Sequence, residues 1–169
     1  MKIKKYNNIK RLDYRVLKFG DLIFIGMRGH SNPGKVRSKS FRKYKKILEK
    51  LFNRYKKENK ERKVIFISHN IAYNTKLDRI SKKALKEALK LLKKRKTKNG
   101  RHYGSKMARR IIDQWQPVLS IGGHIHESYG KDKIGRTIMI NPGSAHDGRA
   151  AIINLDEQKG KVNNIKFVR

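Results

Sequence analysis

Two short apolar runs of this chain each lead directly into a segment that carries histidine. Residues 64–67 are followed by Ser-His-Asn with His69 at its centre, and residues 118–121 are followed by Gly-Gly-His-Ile-His with His124 and His126. Continuous apolar runs of this length are typical of strands buried on both faces. In extended backbone, side chains two residues apart leave the same face, which predicts that His124 and His126 point together. Since ligands bind beyond the carboxyl ends of strands in open α/β sheets, we expect a metal site there.

Strand-like and helix-like segments alternate along the chain, which predicts an α/β layered domain. We expect strands at residues 22–26, 64–67, 118–121, 137–140, 150–153 and 161–168. Apolar residues at steps of three and four predict a helix over 44–55 and a second over 85–92. A third helix is expected to begin after the N-cap Ser105 and to end before Pro117. Residues 1–169 are therefore interpreted as one domain, with a basic helical insertion at 81–104.

The chain has 169 residues and no cysteine. Disulfides, thiolate nucleophiles and cysteine-based zinc sites are thereby excluded, so any metal must bind histidine, carboxylate or amide oxygen. The apolar runs have the length of strands and predict neither a membrane span nor a secretory leader. A cytoplasmic protein without membrane contact is the expectation.

The net charge of +32 is unevenly distributed. Residues 82–110 hold 13 lysines and arginines and the single acid Glu87, whereas residues 111–169 hold 8 basic residues and 6 acids. Such a basic tract raises the local concentration of polyanions, so nucleic acid is a partner to consider. No aromatic residue lies between Lys90 and Lys98 to stack on bases, which favours an ordinary solvated lysine-rich face.

Four landmarks resemble the calcineurin-like metallophosphoesterases, in particular their small prokaryotic single-domain branch, over about residues 22–155. They are Ser68-His69-Asn70 with the downstream Tyr73-Asn74-Thr75-Lys76-Leu77-Asp78, then His102-Tyr103-Gly104-Ser105-Lys106, then Gly122-Gly123-His124-Ile125-His126-Glu127, and Asn141-Pro142-Gly143-Ser144. The resemblance implies a layered β-sandwich flanked by helices and a phosphoester substrate. It also implies two divalent metal ions that activate a bridging hydroxide. His69 and His124 resemble ligands of one ion and His126 a ligand of the other, and Mn²⁺, Fe²⁺, Ni²⁺ or Zn²⁺ would suit such a site.

The family pattern also has three motifs that should precede Leu22, and none of them is present in this sequence. These are D-x-H, G-D followed by a second polar residue, and G-N-H with an acid. The nearest match, Gly20-Asp21, is expected within a strand and lacks the second polar residue. The bridging carboxylate and the catalytic acid are therefore expected outside this chain, which is interpreted as the C-terminal portion of such a hydrolase.

The missing motifs leave three interpretations open. A separate polypeptide could supply the absent half, because exposed edges of a buried sheet invite pairing with another chain, or an upstream start site not included in this sequence could supply it. Alternatively, the chain is a catalytically inactive remnant that holds nucleic acid through residues 82–98 and 101–110. A third interpretation is an inert fragment of a disrupted reading frame.

Three further residues are candidates for binding substrate. Asn70 could contact phosphate or cap its loop, and both interpretations have equal weight. His102 and Ser105 precede a predicted helix, where free N–H groups attract anions, although an ordinary N-cap is favoured. Asn141 is interpreted as part of a turn that fixes the strand end beside the metals.

Overall fold

The computed structural model of this chain describes residues 9–29, 36, 38–91 and 102–169. Eight strands and four helices lie in this part of the chain. The strands are β1 Val16–Phe19, β2 Leu22–Met27, β3 Val64–Asn70, β4 Leu119–Gly123, β5 Gly130–Ile134, β6 Thr137–Asn141, β7 Ala150–Asp156 and β8 Lys161–Val168. The helices are α1 Lys39–Arg54, α2 Lys56–Lys60, α3 Lys82–Leu91 and α4 Lys106–Trp115.

Six strands form one sheet in the order β1-β2-β3-β4-β6-β5. The four central strands β2, β3, β4 and β6 are parallel to one another. The edge strands pair antiparallel, β1 with β2 and β5 with β6. Parallel strands end at the same side of the sheet, so the carboxyl ends of β3 and β4 are adjacent. The remaining strands, β7 and β8, form a separate antiparallel sheet.

The six-stranded sheet is covered on both faces by apolar contacts. On one face, β2 and β3 pack against α1 and α4 in a cluster that includes Phe52, Phe66 and Ile111. On the other face, Ile65, Leu119 and Ile140 pack against the β7–β8 hairpin. Since strands covered on both faces must be apolar at every position, this packing explains the continuous runs in β3 and β4. The fold is an α/β layered sandwich flanked by helices, as predicted.

The helix caps follow from the sequence. Ser105 is the N-cap of α4, where its Oγ accepts a hydrogen bond from the Ala108 N–H at 3.1 Å. Pro117 follows the left-handed C-cap residue Gln116, as helix-terminating prolines do. Helix α1 begins five residues before the predicted start, because Ser38 accepts from the Phe41 N–H at 3.2 Å and fixes the helix start there.

Three local expectations were wrong. Gly20 and Asp21 form the turn between β1 and β2, where Gly20 has a φ of 55°, and are not part of a strand. His69 lies within β3, since that strand continues to Asn70. Edge strands β1 and β5 were not predicted, and their presence means that the buried strands are not left at the edges of the sheet.

The predicted insertion at 81–104 lies partly outside the described residues. Helix α3 occupies its beginning, and residues 92–101 are not described. Arg79 and His102 form an antiparallel bridge that brings the two ends of this segment together, as an insertion requires. Its boundaries stay a prediction.

Among the described residues, no helix is both long enough and apolar enough to cross a membrane.

Candidate metal site

Two of the predicted metal ligands meet at the carboxyl ends of β3 and β4. His69 Nε2 lies 3.2 Å from His124 Nδ1, and the two ring centroids are 5.0 Å apart. The residues are 55 positions apart in the chain and come together because β3 and β4 are parallel neighbours. The ring nitrogens of two separate segments therefore face each other.

An irregularity in β3 determines where His69 lies. Ile67 pairs with Ile121 and Asn70 with Gly123, so Ser68 and His69 lie opposite the single residue Gly122. This arrangement is a β-bulge, which bends a strand and redirects side chains near functional sites. Gly122 permits the close approach, because a Cβ there would lie 2.9 Å from the Ser68 carbonyl oxygen.

The backbone leaves the sheet at His124. This residue has a φ of 65°, in the left-handed region, and His126 begins a single 3-10 turn over His126–Ser128. The expectation that His124 and His126 share a face of extended backbone was therefore wrong. A non-glycine residue at positive φ costs conformational free energy and is held there by its surroundings.

The buried side chain of Asn141 holds the turn that follows His124. Its Nδ2 donates to the carbonyl oxygens of Ile125 at 2.8 Å and Ser128 at 3.0 Å, and its Oδ1 accepts from the Gly143 N–H at 3.0 Å. Asn141 is fully buried. Its amide fixes the 3-10 turn of His126 against the end of β6, which agrees with the structural role predicted for it.

Arg149 and Glu127 also hold this turn, and sequence reasoning missed both. The Arg149 guanidinium donates to the His126 carbonyl oxygen at 3.1 Å and lies over the Tyr129 ring at 4.1 Å. Glu127 accepts a short hydrogen bond from the Ser81 N–H. Arg149 lies outside the four landmarks, and Glu127 belongs to one of them but was given no role there, because the partners of both residues are distant in sequence.

Burial lowers the pKa of His124 below its ordinary value of 6.5, and the neighbouring His69 and His126 lower it further. Burial disfavours the charged imidazolium, and protonating one histidine beside two others adds like-charge repulsion. A neutral imidazole is the form that binds metal. The cluster therefore favours the ligand form of His124 at neutral pH.

We expect the His124 ring to titrate below 6.5 in the folded chain, measured by the pH dependence of its imidazole NMR resonances. Because the unfolded state binds this proton more readily, the contribution of His124 to stability is complete above 6.5 and is lost as pH falls through the folded pKa. His126→Ala should raise the pKa of His124 by removing a like charge. The exposed His146 is the control, since His146→Ala should leave that pKa unchanged.

We also expect Asn141→Ala to lower the free energy of unfolding by about 2 kcal/mol, because it leaves buried carbonyl oxygens without donors. Urea denaturation measures this change. Asn154→Ala, at an exposed position of β7, should change stability by less than about 0.5 kcal/mol. Equal effects of the two variants would contradict the role given to Asn141.

The histidines fit part of the coordination sphere of one metal ion. Ring nitrogens bound to a tetrahedral zinc at about 2.0–2.1 Å lie about 3.3 Å apart, close to the separation of His69 Nε2 and His124 Nδ1. Within the described ranges, however, no group of three or more histidine, cysteine, aspartate or glutamate side chains is placed to hold a metal. His126 is exposed on its turn. The described part of the chain thus supplies imidazole donors without the bridging carboxylate.

A further histidine, His102, pairs with a buried acid. His102 Nδ1 is 2.7 Å from the Oδ1 of Asp78, whose side chain is fully buried. The Gly104 N–H at the start of α4 donates to Asp78 Oδ2 at 3.0 Å. An acid within the chain therefore takes up a donor near this helix start, where an external anion was the less favoured of the two interpretations.

The two remaining candidates are buried. Ser105 is 8% exposed and caps α4, in agreement with the favoured interpretation. Asn70 is 4% exposed at the end of β3, and its backbone carbonyl accepts from Ser68 Oγ at 2.6 Å. Substrate binding by either residue stays a prediction.

The α/β layered fold is consistent with the class of protein that sequence comparison gives. The chain belongs to the metallophosphoesterases of the calcineurin superfamily, whose family pattern matches residues 4–165. The match begins before Leu22, so it extends beyond the region that the motifs had indicated. That the chain is only a C-terminal portion stays a prediction.

One sequence relative and two solved structures match nearly all of this chain. The uncharacterized protein MJ1162 of Methanocaldococcus jannaschii is 29% identical over 165 residues, which are 94% of this chain and 67% of the relative. A crystal structure with 23% identity has a TM-score of 0.64 and is matched over 98% of this chain and 56% of its own. The protein TT1561 of Thermus thermophilus, with 14% identity and a TM-score of 0.51, is matched over 94% of this chain and 59% of its own. These structures support the fold, and the chain spans a little over half of their length.

Proposed function

We propose that this chain forms part of a metal-dependent phosphoric-ester hydrolase, acting as a phosphodiesterase or phosphatase. The convergence of His69 Nε2 and His124 Nδ1 at 3.2 Å carries the proposal, because two imidazoles facing each other at the end of parallel strands suit a shared cation. The family assignment supports the reaction class. His126, on the adjoining turn, is proposed as a ligand of a second ion.

Divalent Mn, Ni, Fe or Zn ions would suit the site, and two of them would form a complete centre. Such ions, when bound, neutralise charge on the phosphoryl oxygens and activate a water nucleophile. This chain's part is to hold neutral imidazoles in place. Burial keeps His124 unprotonated, and Asn141 and Arg149 fix the turn that carries His126.

The carboxylate that bridges two ions is proposed to come from outside this chain, on a separate polypeptide or an adjoining sequence. Without such a group, two like-charged ions would repel each other. The prediction that the isolated chain is inactive follows from this. A cytoplasmic location also stays a prediction.

The experiment compares hydrolysis of bis(p-nitrophenyl) phosphate by this chain alone and mixed with a polypeptide carrying the D-x-H and G-N-H motifs. We expect activity that depends on Mn²⁺ or Ni²⁺ in the mixture and its loss in His126→Ala, with His146→Ala as the control. Activity in the mixture that does not exceed either part alone would contradict the proposal.

A second candidate is a nucleic-acid-binding remnant, favoured by the cations on the exposed side of α1. Those residues are Lys39, Arg42, Lys43, Lys46, Lys50 and Arg54, and all are exposed. Of the tract predicted to bind nucleic acid, residues 92–101 lie outside the described residues, and Arg109 is paired with Asp113 at 2.9 Å. Polynucleotide binding that weakens with salt and persists in chelator would support this candidate.

A further inference from the structure

A pair formed by Asp78 and His102 opens onto a cavity that the metal histidines do not line. The cavity has a volume of about 380 Å³ and is bordered by six residues, Asn74, Thr75, Lys76, Arg79, His102 and Asp132. The fully buried Asp78 carboxylate lies behind it, against His102. This site combines one anchored imidazole with two exposed cationic side chains, Lys76 and Arg79.

Asp78 fixes the orientation of the His102 ring. An ionised carboxylate can only accept hydrogen bonds, so the 2.7 Å contact makes Nδ1 the donor. The opposite nitrogen, Nε2, makes no hydrogen bond with any residue in the described ranges. The His102 side chain is 22% exposed, and the ring borders the cavity. Nδ1 is thus hydrogen-bonded within the protein, and Nε2 is available to contact a ligand.

The charge of Asp78 itself is satisfied within the protein. The N–H groups of Asn74 and Thr75 donate to it at 3.0 and 2.9 Å, and that of Gly104 donates at 3.0 Å. These contacts hold the carboxylate in place behind His102. The imidazole therefore has a fixed geometry before any ligand arrives.

One acid among the described residues, Asp132, borders the cavity, and its carboxylate accepts two backbone hydrogen bonds. Asp132 Oδ2 accepts from the Lys76 N–H at 2.8 Å, and its Oδ1 accepts from the Lys133 N–H at 2.8 Å. The side chains of Lys76 and Arg79 have no ion pair to any described residue. With His102 protonated, three cationic groups of the subsite face the two hydrogen-bonded carboxylates of Asp132 and Asp78, and this excess of positive charge favours an anionic ligand.

The cavity is joined to the turn that carries His126. Ser128 Oγ donates a short hydrogen bond to the Arg79 carbonyl oxygen, and the Ser81 N–H donates to Glu127. Both contacts tie the segment that holds Arg79 to the 3-10 turn beside the candidate metal site. A ligand that spans the cavity and the candidate metal site would place one group beside Lys76 and Arg79 and another beside the metal-site histidines.

We propose that the imidazolium form of His102, which donates from Nε2 as well as to Asp78, forms a phosphate-binding subsite with Lys76 and Arg79, and that Asp78 is the residue that positions His102. The subsite deepens the proposed function, on which its role in substrate binding rests. It would hold a phosphate group of the substrate, or the released phosphate, beside the reacting centre. Hydrogen bonds from charged donors to phosphate are the strong ones, and lysine and arginine both provide them.

The test is calorimetric titration of inorganic phosphate and of phenyl phosphate into the full chain in excess EDTA and at physiological ionic strength, about 150 mM salt. Chelator removes metal from the measurement, so failure of the metal site and failure of this subsite are distinguishable. Saturable binding of phenyl phosphate in competition with inorganic phosphate would identify an ester-linked group as the ligand. Saturable binding of inorganic phosphate alone would identify the released product. Absence of saturable binding of either would overturn the proposal.

Variants separate this subsite from the general positive charge of the chain. His102→Asn retains a donor to Asp78 in place of Nδ1 and removes Nε2, so it should weaken phosphate binding by about tenfold or more without unfolding the segment. Lys76→Ala with Arg79→Ala should have a similar or larger effect. Lys161→Ala with Lys166→Ala on β8 removes the same charge at exposed positions outside any proposed site and should change the affinity by less than about twofold. An equal loss in the β8 variant, or an unchanged affinity in His102→Asn, would overturn the proposal.

Discussion

His124→Ala should lower the affinity of this chain for Zn²⁺ or Ni²⁺ by at least about 100-fold. Loss of a residue that only supports a ligand costs about 10–100-fold, and loss of the ligand itself should cost at least as much as the upper end of that range. His124 is half-buried and faces His69 at 3.2 Å, so its ring nitrogen already lies beside that of the other proposed ligand. Calorimetric titration with each metal measures the change.

His146→Ala is the matched control for this variant. The His146 side chain is 97% exposed on the other 3-10 turn, Ala145–Asp147, so the variant removes one histidine from the composition without touching the site. We expect wild-type affinity in this control. Equal affinities of His124→Ala and the wild type would show that metal uptake, if present, belongs to other residues.

Asp78→Ala should lower the free energy of unfolding by about 3 kcal/mol or more, because it leaves several donors without the acceptor that satisfies them. The change removes the acceptor of His102 Nδ1 and of the N–H groups of Asn74, Thr75 and Gly104. These groups stay buried or half-buried without a partner, which costs more than the net gain of a hydrogen bond. Urea denaturation followed by far-UV circular dichroism measures the loss.

Two further variants test whether burial causes this effect. Asp78→Asn keeps one acceptor oxygen and should be destabilised by less than Asp78→Ala. Asp113→Ala removes a carboxylate that is also paired, with Arg109 at 2.9 Å, but is 48% exposed, and should cost less than about 1 kcal/mol. A small effect of Asp78→Ala, comparable to that of Asp113→Ala, would contradict the anchoring role.

The layered fold could be predicted because its central strands are buried on both faces. Residues 64–67 and 118–121 lack polar interruptions other than Ser120, and their extent comes close to that of β3 and β4. Ser105 and Pro117 likewise mark the ends of α4, because capping and proline chemistry are local. Interactions between residues that are close in sequence can therefore be predicted without a structure.

The edge strands and the details of the site could not be predicted. Strand β5 carries lysine, aspartate and lysine in succession, as edge strands that resist further pairing do, and so lacks an apolar run. The bulge at His69 and the left-handed backbone of His124 depend on the neighbouring strand and on Asn141. No local pattern encodes contacts of this kind.

The pairing of Asp78 with His102 was missed for a similar reason. The two residues are 24 positions apart, and the segment between them contains α3 and residues outside the described ranges. Both belong to landmarks that had been noted separately. The structure brings Asp78 against His102 at the start of α4, and the carboxylate then holds the imidazole in one orientation.

X-ray absorption spectroscopy at the zinc edge of the metal-loaded chain tests the central claim most directly. If His69 and His124 bind one cation, the spectrum should contain at least two imidazole nitrogens at about 2.0–2.1 Å, with the outer-shell scattering of their rings, and this signal should decrease in His124→Ala. A first shell of oxygen alone, or one unchanged in His124→Ala, would contradict the claim that these histidines share a metal ion.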